Sequence, residues 1–180
     1  MKLFILLLSL ALLATNANAQ DQKEQKPVTL RSILLEQLKT THDKNDWFVS
    51  PIKSVEGLTP EQVVWTDGKG NHSIGQLTYH MLFWNSQELS KLKGEKPAKF
   101  DGNNDETFNN FDAKTWAATV KQLDQVMTDL EKFAESADDA TLAKHASELA
   151  HIGTHNAYHT GQIIYIRRLQ GSWDPKKGVN

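Results

Sequence analysis

Apolar residues recur at helical spacing in four stretches of the chain, and strand-like alternation is absent. In "VTLRSILLEQLKTTHDKND", Leu30, Ile33, Leu34 and Leu38 fall at i, i+3, i+4 and i+8, which is one face of a helix. Pro51 then breaks the chain. "GLTPEQVVW" predicts a short helical turn, with Thr59 as its cap, Pro60 as its first residue and Gln62 at the capping-box position. After the turn "TDGKGN", a second long helix starts at Ser73, again with a box-like Gln76, and runs to about Lys93. Its broad apolar face carries Leu77, His80, Met81, Trp84 and Glu88. The polar connection "GEKPAKFDGNNDETFNNFDAKT" is long for a compact domain, so it is expected to cross over the helices or to line a site mouth. A third helix carries Trp116, Val120, Leu123, Met127, Leu130 and Ala134. A fourth runs from about Thr141 to Gln170 and stops at Gly171. Four amphipathic helices predict an all-α fold, a four-helix bundle over residues 28–171, followed by a tail over 172–180.

The fourth helix, "ELAHIGTHNAYHTGQIIYIRRLQG", raises the chemical question. It puts His151, His155 and His159 at four-residue spacing within an apolar segment. At about 100° per residue, His155 and His159 differ by roughly 40° and point into the middle of the stripe, near Ile152 and Ile166. His151 lies at its edge. Two imidazoles at i and i+4 can share one cation, and neutral imidazole suits zinc, nickel, iron or copper. A His-x-x-x-His pair alone also occurs in packed, hydrogen-bonded cores. A third ligand would have to come from another helix, because bundles build sites from facing side chains. His80, between Leu77 and Trp84 on the inward side of the second helix, qualifies.

At this point "HSIGQLTYHMLFWN", joined to the downstream "THNAYHTGQIIYIRRLQG", resembles the DinB superfamily, also known as DinB/YfiT-like metalloenzymes. "EGLTPEQVVW" resembles the usual link after the first helix of that family, so the likeness spans nearly the whole mature chain. The resemblance implies a four-helix bundle of the DinB/YfiT-like type, with His80, His155 and His159 as ligands and a position left open for solvent or substrate. It places the family's Gly-Gln pair on Gly161 and Gln162. Three histidines with an open position are also the ligand set of catalytic zinc-type sites. One divalent metal ion is expected, zinc or nickel, with iron or manganese as alternatives.

Around this centre the sequence offers further candidates. His151 departs from the family's last helix and reads as a rim residue rather than a fourth ligand. Glu148, seven residues before His155 at nearly the same angle, is a candidate base. His151 and Glu148 are the two catalytic candidates. Gln162, Trp84 and Arg167 are candidates for substrate binding: Gln162 by hydrogen bonding a ligand histidine or substrate, Trp84 by shaping the pocket, Arg167 by meeting an anion at its edge. Core packing for Trp84 and a solvated helix-end charge for Arg167 are the plainer readings. His72 and His42 are expected at the surface, and His145 is expected to be packed or solvated.

Composition adds a compartment. "MKLFILLLSLALLATNANAQ" has a basic start, an apolar run from Leu3 to Ala14 and an Ala-x-Ala end, the order of a signal peptide cleaved after Ala19. The run is short for a membrane anchor. Export to the periplasm or beyond is therefore expected, with residues 20–27 as a flexible lead-in. With no cysteine there is no disulfide framework, so the fold must be held by its core. Removing Lys2 takes the formal charge from −2 to −3, and arginine occurs only at Arg31, Arg167 and Arg168. No basic stripe for nucleic acid exists. A small-molecule substrate is expected as partner, with a homodimer left open. No glutamate stands between the paired histidines, which disfavours His-Glu-x-x-His peptidase chemistry. The function expected is a metal-dependent, hydrolase-like enzyme. The alternatives are a thiol S-transferase or isomerase, disfavoured by export, and a non-catalytic metal- or ligand-binding module.

Overall fold

The computed structural model describes residues 27–178 and contains, among them, eight α-helices and no strand. The signal-peptide segment, nearly all of the lead-in and the last two residues of the tail lie outside the described residues. Four long helices carry the fold: α1 (Leu30–Thr40), α4 (Ile74–Leu92), α6 (Trp116–Ser136) and α8 (Ala146–Leu169). α4 and α1 each pack on both α6 and α8. Short helices fill the connections: α2 (Pro51–Val55), α3 (Pro60–Val64), α5 (Glu106–Asn109) and α7 (Asp139–Lys144). The all-α expectation is met, with more helices than the four anticipated. No helix among the described residues is long and apolar enough to cross a membrane.

The helix starts follow from local chemistry. Thr59 accepts from Gln62 N and Ser73 from Gln76 N, and each glutamine side chain returns a bond to its cap backbone. Thr29 and Ser32 form the same reciprocal box at α1. Each box satisfies donors that a helix N-terminus otherwise leaves free. The core sits where the long helices meet, with Leu34, Leu38, Leu77, Met81, Leu123, Met127, Leu130, Leu149 and Ile163 buried.

Three expectations are corrected. Leu30 and Ile33 are exposed, so only Leu34 and Leu38 of the predicted α1 face are buried. α6 and α8 cover a narrow strip of this short helix. The fourth helix is not continuous from Thr141. The chain leaves helical geometry at His145, whose ring packs edge-on against Phe133, and α7 and α8 are separate helices. His42 is buried rather than on the surface. Its Nδ1 lies 2.7 Å from Glu131 and its Nε2 2.9 Å from Asp124, which ties the end of α1 to α6.

Two features fix the side of α4 on which the site is built. The long polar connection folds back onto it, and a Cβ on Gly75 would overlap the Phe111 ring, so only glycine permits this approach. Further along α4, Asn85 donates to Asn156 Oδ1 at 2.8 Å and Asn156 returns the bond at 3.1 Å. Both are 1% exposed. Truncating one strands the amide of the other, and a buried unpaired polar group costs about 1–3 kcal/mol. Asn85→Ala is expected to lower the urea-unfolding free energy by that amount or more, and adding Asn156→Ala should cost less than the sum of the two single changes.

Candidate metal centre

His80 hydrogen-bonds within the α8 pair and Asn85 meets Asn156, whereas Leu77 shares a groove with Ile166. Rising numbers on α4 therefore meet falling numbers on α8, and the two helices run antiparallel. This brings one histidine of α4 against two of α8. His80 Nε2 lies 3.1 Å from His155 Nε2, which lies 3.0 Å from His159 Nε2. His80 and His159 are 4% and 6% exposed, and His155 is half-buried.

The outer ring nitrogens decide the tautomers. Thr107 Oγ1 lies 2.6 Å from His80 Nδ1 and 2.6 Å from the Asn104 carbonyl. A carbonyl only accepts, so the hydroxyl donates to Asn104 and accepts from His80 Nδ1–H. His159 Nδ1 donates to Gln162 Oε1 at 2.6 Å. In a neutral ring the proton on Nδ1 leaves Nε2 as a bare lone pair. Two such lone pairs flank His155 Nε2, which carries one proton at most. One proton cannot satisfy three converging nitrogens, but one cation among them can. Nitrogens held about 2.0–2.1 Å from a tetrahedral zinc ion lie roughly 3.3 Å apart, close to the spacing here. The donor set therefore fits a divalent metal, held by the Nε2 atoms of His80, His155 and His159.

The rings are kept neutral. Burial, then the neighbouring His159, His155 and His72, pushes the His80 imidazole down to about 3. Burial and His159 push His155 down to about 4. Burial also lowers His159, against the opposing bond from Gln162. At neutral pH all three can bind a metal without first losing a proton.

The centre opens onto a cavity of about 800 Å³. Trp84, Gln162, His151 and Glu148 line it. His151 and Glu148 are exposed at its rim. Arg167 does not line it. Its guanidinium is buried under the chain that precedes α3, donating to the Ser54 and Glu56 carbonyls at 2.7 and 3.1 Å and to Ser172 at 2.8 Å, with Trp173 against it. These carbonyls take up donors on both terminal nitrogens, and Nε is buried without a partner, so Arg167 is turned away from the cavity and ties the C-terminal end of α8 to the α2 connection. His72 is not a plain surface residue. Its ring stacks on Phe108 at 3.9 Å, and Phe108 stacks on His80 at 3.8 Å.

Thr107 and Phe108 escaped the sequence reading because they sit on a single helical turn, α5, inside a polar connection. Their lone apolar Phe-bearing "ETFNN" hinted that the connection folds inward and did not say onto what. The family model for the DinB superfamily matches residues 52–163. The chain belongs to the DinB superfamily. No curated protein and no solved structure matches it. The matched span runs from α2 into α8 and includes all three converging histidines. DinB-superfamily proteins are metal-binding, and the buried His80, His155 and His159 of this DinB protein form a group able to hold an ion.

Two outcomes are expected. Equilibrium dialysis with zinc should give one ion per wild-type chain and severe loss in His80→Ala, His155→Ala or His159→Ala. Thr107→Val should keep the site and weaken it about tenfold or more, as loss of an outer partner to a ligand histidine does. The second outcome concerns pH. Imidazoles held below their ordinary value of 6.5 stay neutral in the folded chain while the unfolded chain takes up protons. The metal-free protein should therefore have its full stability above pH 6.5 and lose it as pH falls towards 4 and then 3. Thermal melts of chelator-treated wild type and His155→Ala should differ in this slope, the wild type being the steeper.

Proposed function

We propose that this DinB-superfamily protein is a metal-dependent enzyme of hydrolase type, acting on a small molecule and working outside the cytoplasm after removal of residues 1–19. The observation that carries this reading is the meeting of three neutral Nε2 atoms at one point that opens onto a cavity of about 800 Å³. A purely structural metal would have its ligand set closed by protein. Among the described residues, the group of His, Cys, Asp and Glu ligand atoms that come together at this point consists of His80, His155 and His159, and His151 lines the cavity without a hydrogen bond to them.

When bound, a divalent ion supplies Lewis acidity towards a substrate oxygen or sulfur. The remaining work falls to the chain. Thr107 and Gln162 fix the two flanking imidazoles by holding a proton on each Nδ1. Phe108 and Trp84 wall the centre, their rings lying against His80. In hydrolysis, water bonds to the substrate carbonyl carbon as the bond to the leaving oxygen or nitrogen breaks; His151, one turn of α8 before His155, is the group to take the water's proton and return it to the leaving group, and Glu148, about 10 Å from His155 along the helix, acts there only through intervening water.

The test is a screen of the metal-loaded mature protein against ester, amide and thiol-conjugate libraries. Turnover of an ester or amide should vanish on chelation and return with metal. On that substrate His151→Ala or Glu148→Gln should lower kcat by on the order of 10²-fold with metal content unchanged, the scale of a lost proton carrier. Equal rates with and without metal would rule the reading out, and turnover only with added thiol would replace it by a transferase.

A further inference from the structure

The charge on the cavity wall is one-sided. Glu88, Asp105 and Glu148 line it, and among the described residues no lysine or arginine does. Lys91 approaches Glu88 Oε1 at 2.6 Å but does not itself line the cavity. Asp105 makes no side-chain capping bond, and Glu148 enters no ion pair among the described residues. The remaining titratable groups on the wall are the three ligands, His72, His151 and Tyr158.

Two of the carboxylates, Glu88 and Glu148, lie towards one end. Along α8, Glu148 precedes His155 by seven residues, about 10 Å of helix. Along α4, Glu88 follows His80 by eight, about 12 Å. Because α4 and α8 are antiparallel, both displacements run in the same direction. Trp84 lies between His80 and Glu88, and the aromatic faces of Trp84 and Tyr158 border the space. Aromatic faces and carboxylates both favour a cation.

We infer that the cavity selects a bipolar small molecule, with a metal-binding oxygen or sulfur donor at one end and an amine or other organic cation about 10 Å away. This rests on the metal-centre reading and adds the substrate's charge to it. A ligand with a carboxylate at the far end meets only repulsion there.

The experiment uses the zinc-loaded mature protein and three matched probes: hexanohydroxamic acid, its ω-amino analogue and its ω-carboxy analogue. The hydroxamate grips the metal in each, so only the far end differs. Calorimetry at low salt should rank them amine, neutral, carboxylate, with about tenfold or more between the extremes, the sum of two or three screened ion pairs. The spread should shrink in about 1 M salt. In the double variant Glu88→Gln, Asp105→Asn the spread between the extremes should narrow while the neutral probe binds as before, which also certifies the variant's fold. Equal binding of all three, or preference for the carboxylate, overturns the inference and leaves the metal centre standing. Failure of all three to bind overturns the metal centre itself, and the inference with it.

Discussion

Three ring nitrogens that share at most one proton cannot meet at one point without repulsion unless something positive lies among them. That constraint organises this protein. His155 Nε2 lies 3.1 Å from that of His80 and 3.0 Å from that of His159, and burial keeps the three imidazoles neutral. Such an arrangement is not a low-energy way to pack a bundle core, where apolar side chains of similar volume would serve without the need for a partner. It persists because neighbouring groups leave no alternative: Thr107 and Gln162 hold the protons on the outer nitrogens, so the inner ones cannot turn into donors.

The surrounding packing supports that arrangement piece by piece. The Asn85–Asn156 pair sets the register between α4 and α8 just beside the histidines. Asn85 lies five positions after His80 and Asn156 directly follows His155, so a slip of either helix would break both sets of bonds. Gly75 lets the long connection lie close on α4, and the connection delivers Thr107 and Phe108 to the far side of His80. The stack of His72, Phe108 and His80 closes that flank, while the side facing Trp84 and Glu148 stays open. One wall of the centre is thus closed by stacked rings and the other is open to the cavity.

Charge is used differently in two parts of the molecule. Away from the site, charged groups are ties: Arg31 caps the end of α6 through the Ala134 and Ala137 carbonyls, Arg167 binds the carbonyls before α3, and His42 bridges Glu131 and Asp124. Around the cavity, Asp105 and Glu148 are left without such partners. Carboxylates that already have fixed partners contribute to the fold, whereas unpaired ones bordering an open space contribute a field that acts on whatever enters.

The sequence by itself determined the helices and the three converging histidines. Helical periodicity and the Thr59–Gln62 and Ser73–Gln76 boxes are local properties, and side chains four apart share a face of any α-helix. His155 and His159 were therefore legible as a pair from spacing, and His80 as their partner from its inward position and from the resemblance that the family match bears out. What spacing cannot carry is information about residues far apart in the chain. Only the folded packing put His42 inside, broke the last helix at His145, turned Arg167 from the cavity to backbone carbonyls, and brought Thr107, Phe108 and His72 around His80. The physical reason is the same in each case: a polar side chain's role depends on which partner is within about 3 Å of it, and for these residues that partner comes from another helix or from a connection with no periodicity to read.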